Sequence, residues 1–141
     1  MAKEKRRDHI GGIHHLGIAV KDIEASVAAI SQALNFSSIA IRDVPERKIR
    51  VAFVHLKDGI ELEFIQDDSE NGRMAKSVRE RGDYIHHFCL LTNNIEEDIA
   101  ILKERGVEMQ DEEPRIGLTG KKIAYTKPSA INGIAFEILE N

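Results

Sequence analysis

The chain carries two His-His pairs, and each stands at the head of an apolar string that leads into an acidic, helix-like opening. His14-His15-Leu16-Gly17-Ile18-Ala19-Val20 runs into Asp22-Ile23-Glu24, and His86-His87-Phe88-Cys89-Leu90-Leu91 runs into Asn94-Ile95-Glu96. The offset between the copies is 72 residues at both the histidines and the isoleucines. A second echo lies downstream, where Gly59-Ile60-Glu61-Leu62-Glu63-Phe64-Ile65 is answered by Gly133-Ile134-Ala135-Phe136-Glu137-Ile138-Leu139. A carboxylate inside an apolar strand is costly unless it is paired, hydrogen-bonded or bound to a metal. Glu63 and Glu137 both occupy such positions. A duplicated module that supplies one imidazole and one carboxylate per copy is a way to assemble a four-ligand metal centre, and such a centre is expected here.

Strand parity selects the members. Side chains alternate between faces along a strand, so His15 shares a face with Gly17 and Ala19, small residues that leave room for a ligand. His14 shares its face with Leu16 and Ile18. The same parity groups His87 with Cys89 and Leu91, Glu63 with Glu61, and Glu137 with Ala135 and Leu139. The quartet His15, Glu63, His87 and Glu137 offers two neutral imidazoles and two carboxylates, a set suited to Co²⁺, Mn²⁺, Ni²⁺ or Zn²⁺. The carboxylates are offset by 74 rather than 72 residues, so a two-residue indel separates the copies. His55 reads as structural or rim-facing.

The elements that must position these groups follow from periodicity. Residues 13–20 read as a buried strand. Asp22 is a helix cap, and Ile23, Val27, Ile30 and Leu34 mark one helical face that ends at Asn35. Strands are expected at Ser37–Asp43, Ile49–Leu56 and Ile60–Gln66, with a turn at Pro45–Lys48 and a hairpin at Lys57-Asp58-Gly59. Ser69–Arg81 reads as a linking helix that stops at Gly82. The second copy repeats the order: a strand at His86–Leu91, a helix through Ile95, Ile99 and Leu102 that stops at Gly106, then strands at Val107–Gln110, Lys121–Thr126 and Gly133–Leu139. The expected fold class is α+β. Two β-α-β-β-β modules form an eight-stranded curved sheet around a metal-centred cleft. The expected boundaries are a flexible tail at 1–12 and a single domain at 13–140, comprising module one at 13–66, the linker helix at 67–83 and module two at 84–140.

Composition narrows the function classes. A chain of 141 residues with 42% hydrophobic and 31% charged content is of ordinary globular type and single-domain length. A net charge of −4 gives no footprint for a nucleic-acid backbone. One cysteine, Cys89, excludes a disulfide framework, fits a reducing compartment and reads as a small buried hydrophobe. No apolar run reaches the roughly 20 residues of a membrane span, and the N-terminal basic cluster lacks the apolar stretch of a secretory signal. A cytoplasmic protein is expected.

The same residues resemble the vicinal oxygen chelate superfamily (glyoxalase, bleomycin resistance, dioxygenase), and within it the methylmalonyl-CoA epimerase family. The resemblance is carried by His14 to Glu24, by Val44-Pro45-Glu46-Arg47 and by Ile85-His86-His87-Phe88. Its narrowest part is Asp111-Glu112-Glu113-Pro114-Arg115-Ile116-Gly117, followed by Gly120-Lys121-Lys122-Ile123-Ala124-Tyr125 and Lys127-Pro128. The likeness extends from Ile13 to Glu140. It departs from the family at Thr126-Lys127-Pro128, where epimerases usually have His-Pro-Lys, at Ala28-Ala29-Ile30, where a Phe-Tyr pair is common, and at Asp67–Gly72, which replaces a Pro-containing link. The resemblance implies a glyoxalase-like fold and metal ligands at His15, His87 and Glu137, with the fourth at Glu63, where some members carry Gln. It also implies a homodimer and an acyl-CoA substrate. The implied reaction is epimerisation of a 2-methyl-branched acyl-CoA by proton transfer α to the thioester through an enolate, with a divalent metal as Lewis acid. Glu137 and Glu63 are the candidate acid–base residues. The competing expectations are a glyoxalase I-type lactoylglutathione lyase, which would use the same ligands, and a non-catalytic ligand-binding member of the superfamily.

Overall fold

The computed structural model describes residues 10–141. Residues 1–9 of the expected tail lie outside the described residues. Its last three residues are not tail: the first strand, β1, spans Ile10–Ala19 and so begins before the expected Ile13. The elements that follow are α1 (Ile23–Leu34), β2 (Ile41–Val44), a 3-10 turn (Pro45–Arg47), β3 (Ile49–His55), β4 (Glu61–Asp67), α2 (Arg73–Arg81), β5 (Tyr84–Thr92), α3 (Ile95–Glu104), β6 (Arg115–Ile116), β7 (Lys122–Tyr125), a second 3-10 turn (Pro128–Ala130) and β8 (Ala135–Glu140). The strands hydrogen-bond in the order β2-β3-β4-β1-β5-β8-β7-β6. The sheet is mixed: β1 runs parallel to β4, and the β2–β3, β3–β4, β6–β7 and β7–β8 pairs are antiparallel.

The chain divides into two compact units. One is His15–His87; the other combines the residues up to His14 with Phe88–Asn141. The division falls inside β1 and β5 rather than at the ends of the expected modules, and it leaves His15, Glu63 and His87 in the same unit.

In the unit His15–His87, Asp22 caps α1 by accepting a hydrogen bond from the Ala25 amide at 3.1 Å, and Asn35 ends the helix in the left-handed conformation at φ 57°. Val20, Ile23, Ala52, Val54 and Phe64 form the core beneath the helix. The strand expected at Ser37–Asp43 is shorter and shifted, because Phe36 and Ile39 pack against this core instead of alternating in a ladder. The expected Pro45–Lys48 turn is present, with Lys48 at φ 53° closing it.

In the other unit, Ile95, Ile99, Leu102, Met109, Ala124 and Ile138 form the core. Gly106 takes the left-handed position after α3 at φ 81°. The strand expected at Val107–Gln110 is replaced by a single bridge, Met109 to Thr126. The reason is local. The amides of Gln110 and Asp111 both donate to the Tyr125 carbonyl, at 2.9 and 3.1 Å, and this doubled contact breaks the ladder. The Asp111 carboxylate then accepts from the Tyr125 amide at 2.9 Å and from Arg115 Nε at 3.0 Å. The chain turns on those bonds and enters the ladder as the short β6, which stands in for the missing strand. Cys89 is buried, as its apolar neighbours lead one to expect. No helix among the described residues is long and apolar enough to cross a membrane.

Candidate metal centre

Three strands of the unit His15–His87 bring the candidate ligands together. The parallel β1–β4 register sets His15 opposite Glu61 and Gly17 opposite Glu63, which puts the histidine and the two glutamates on one face. β5 delivers His87. The three side chains are buried, with exposures of 4% for His15, 6% for Glu63 and 0% for His87. Glu61 diverges from them and pairs with the exposed His55 at 3.5 Å, so His55 is a surface residue, as its position in β3 suggests.

Gly17 creates the space for this convergence. A Cβ there would overlap the His87 ring at Cε1 and Nδ1 and stand only 2.6 Å from Nε2. The imidazole of His87 therefore occupies the volume that any other residue at position 17 would fill. The small residue beside His15 makes room, and what fills it is the second candidate histidine.

The donor atoms form a compact triangle. His15 Nε2 and His87 Nε2 are 3.0 Å apart, and Glu63 Oε1 lies 3.8 Å from the first and 3.7 Å from the second. The rings meet edge to face at 88° with centroids 5.1 Å apart. Ligand atoms bound at about 2.1 Å stand about 3.0 Å apart at right angles and about 3.4 Å apart in a tetrahedron. One side of the triangle matches the right-angle spacing, and the other two, at 3.7 and 3.8 Å, are longer than the tetrahedral one by a few tenths of an ångström. These are close to the dimensions of three ligands around one divalent ion, and the donor types suit one. A buried ion would also offset the burial of the glutamate charge.

Glu137 lies in the other unit, in β8, and is buried at 4% exposure among Ala135, Ile138 and Leu139. It pairs across the ladder with Tyr125.

The link that departs from the family pattern also helps position the site. Asp67 ends β4, four residues beyond Glu63, and its carboxylate accepts from the amide and hydroxyl of Ser69 and from the Ala75 amide at 3.0 Å. Burial pushes this carboxyl up. Those hydrogen bonds together with nearby Arg79 outweigh burial and hold it below the usual value of 3.8. Gly72 permits the approach, since a Cβ there would overlap Asp67 Oδ2. The turn launches α2, which leads into β5 and His87. Two contributors were not apparent from residue type or spacing: this turn, and His86, whose Nδ1 lies 2.9 Å from Nδ1 of His87. Parity assigns neighbouring strand residues to opposite faces and so conceals a contact between them.

The chain belongs to the glyoxalase/bleomycin resistance protein/dioxygenase superfamily, whose family model matches residues 14–125. Among its relatives is an ethylmalonyl-CoA/methylmalonyl-CoA epimerase from Cereibacter sphaeroides, 30% identical over 92% of this chain and 97% of the relative. An uncharacterised Bacillus subtilis protein, YqjC, is also 30% identical, over 91% of each chain. The structure of a single-site variant of Streptomyces coelicolor methylmalonyl-CoA epimerase in complex with 2-nitronate-propionyl-CoA superimposes with a TM-score of 0.80 at 25% identity, covering 94% of this chain and 95% of that one. The eight-stranded mixed sheet with three helices among the described residues is the glyoxalase-like fold, and the chain is homologous to methylmalonyl-CoA epimerases.

Proposed function

We propose that the protein is a divalent-metal-dependent epimerase of a 2-methyl-branched acyl-CoA, with methylmalonyl-CoA as substrate. The observation that carries this reading is the buried convergence of His15 Nε2, His87 Nε2 and Glu63 Oε1 in a chain homologous to such epimerases. Glu137 is the proposed fourth ligand, on the strength of its burial in an apolar strand and its matching place in the second repeat. Co²⁺, Mn²⁺, Ni²⁺ and Zn²⁺ all suit this set of donors. When bound, the ion supplies Lewis-acid polarisation of the substrate's thioester carbonyl and so acidifies the adjacent C–H.

The chain's own residues do the rest. With the ion bound, His15 and His87 would present their Nε2 atoms to it, and Gly17 leaves the volume in which His87 can do so. Glu63 and Glu137 are the carboxylates for proton transfer. One accepts the α-proton, and the bonding pair delocalises onto the thioester. The other acid delivers a proton to the opposite face of the same carbon. The configuration inverts, the atoms balance, and no co-reactant is consumed. Burial of the donors excludes water and strengthens each electrostatic contact. The acyl-CoA is the small-molecule partner, and a cytoplasmic homodimer is the proposed setting, on the family resemblance and the reduced, buried Cys89.

The test is a paired assay of the Co²⁺-loaded protein in D₂O. Methylmalonyl-CoA should epimerise with deuterium entering at the α-carbon, and the methylglyoxal–glutathione adduct should remain unchanged. Turnover of the adduct alone would overturn the epimerase reading in favour of a lyase. Turnover of neither would favour a ligand-binding member of the superfamily.

A further inference from the structure

His86 adjoins a ligand histidine, and its ring is engaged with that ligand. Its Nδ1 lies 2.9 Å from Nδ1 of His87, with the ring planes at 90° and centroids 5.1 Å apart. The opposite nitrogen of His87, Nε2, is the one that faces His15 and Glu63. A nitrogen that binds a metal carries no proton, so the His87 proton belongs on Nδ1, from which it donates to Nδ1 of His86. His86 must then carry its own proton on Nε2. The His86 ring is backed in turn by Tyr84, with centroids 6.0 Å apart, and the guanidinium of Arg81 stacks 3.9 Å from the Tyr84 centroid. Arg81, Tyr84, His86 and His87 form a continuous series that runs from an exposed arginine at the end of α2 to a fully buried ligand.

We propose that His86 is a positioning residue, which selects the Nδ1–H tautomer of His87 and fixes its ring so that Nε2 faces the metal. The proposal rests on the metal-centre reading above. Outer-shell acceptors of this kind orient ligand histidines and raise their basicity, and their loss typically weakens metal binding about 10–100-fold.

The experiment measures Co²⁺ affinity by chelator competition, together with the visible absorption of the Co²⁺-loaded protein, for the wild type, His86→Leu, His86→Asn and His86→Gln. The Asn amide oxygen stands about as far from the backbone as the imidazole Nδ1; the Gln amide is displaced by one methylene. His86→Leu and His86→Gln are expected to bind Co²⁺ about 10–100-fold more weakly, with altered absorption bands. His86→Asn is expected to recover most of the affinity and the wild-type spectrum. Wild-type affinity and spectrum in His86→Leu would overturn the His86 assignment while leaving the metal centre intact. If His86→Leu does not fold, equal affinities of the Asn and Gln variants overturn it. A wild type that binds no Co²⁺ would overturn the metal centre itself, and the proposal with it.

Discussion

The two repeats share a helix-anchoring device but differ where the candidate ligands meet. In the first, the amide of Ile23 at the start of α1 donates to the side chain of Gln66 on β4 at 2.9 Å. In the second, the amide of Ile95 at the start of α3 donates to the side chain of Glu140 on β8 at 3.0 Å. Asp22 and Asn94 cap the same two helices. Gln66 and Glu140 are separated by the same offset as Glu63 and Glu137 and lie three residues beyond them. Each repeat therefore ties its helix to the strand that carries its candidate carboxylate. The difference lies at Gly17. The residue 72 positions later is Cys89, whose buried side chain packs with Ile123 and Leu139. One copy leaves that volume open, and an imidazole occupies it. The other copy fills it with its own side chain. Duplication supplied the scaffold twice, and a single missing Cβ made one copy the place where two histidines approach to 3.0 Å.

The sharpest way to break this comparison is to close the opening. Gly17→Ala should displace the His87 ring and reduce kcat/KM with methylmalonyl-CoA by at least about 100-fold, with loss of bound metal, since an active-site displacement of about 1 Å already has that effect. Cys89→Ala, at the matching position, should retain the metal and lose only about 1 kcal/mol of stability in urea unfolding. Equal catalytic loss in the two variants would remove the contrast. The shared device is tested by Glu140→Ala and Gln66→Ala. The first removes an acidic acceptor at a helix N-terminus and should lower stability by about 1.5–2 kcal/mol, the second a neutral acceptor and by about 1 kcal/mol. Chemical denaturation of both variants measures the ordering, and a reversed order would show that the charge of the acceptor does not set the strength of the anchor.

A smaller effect should appear with pH at the turn of Asp67, which joins β4 to α2. The folded carboxyl titrates below its ordinary value of 3.8, so its contribution to stability is present above that pH and is lost as the pH falls through the lower folded value. Stability curves of wild type and Asp67→Asn, measured against pH, should converge as the solution is acidified below 3.8. Curves that stay parallel through this range would remove the carboxylate from the turn's account.

Much of this arrangement is legible in the chain itself. The caps Asp22 and Asn94, the stops at Asn35 and Gly106, and the apolar spacing of Ile95, Ile99 and Leu102 act over one or two turns, where local chemistry decides the outcome. His15, Glu63 and His87 could be selected because an alternating strand leaves few positions for a buried polar group. The bulge at Asp111 and the short β6 could not, since a carboxylate that caps the amide of Tyr125 depends on a residue 14 positions away. The His86 contact was hidden for the opposite reason. It joins sequence neighbours that the pleat assigns to opposite faces.

The claim on which the account turns is that His15, Glu63 and His87 hold a divalent ion. Elemental analysis of wild type and His87→Ala, purified and dialysed side by side, tests it directly. The account predicts a stoichiometric divalent ion in the wild type and its loss in the variant. A stoichiometric ion retained by His87→Ala, or a metal-free wild type that still turns over substrate, would contradict it.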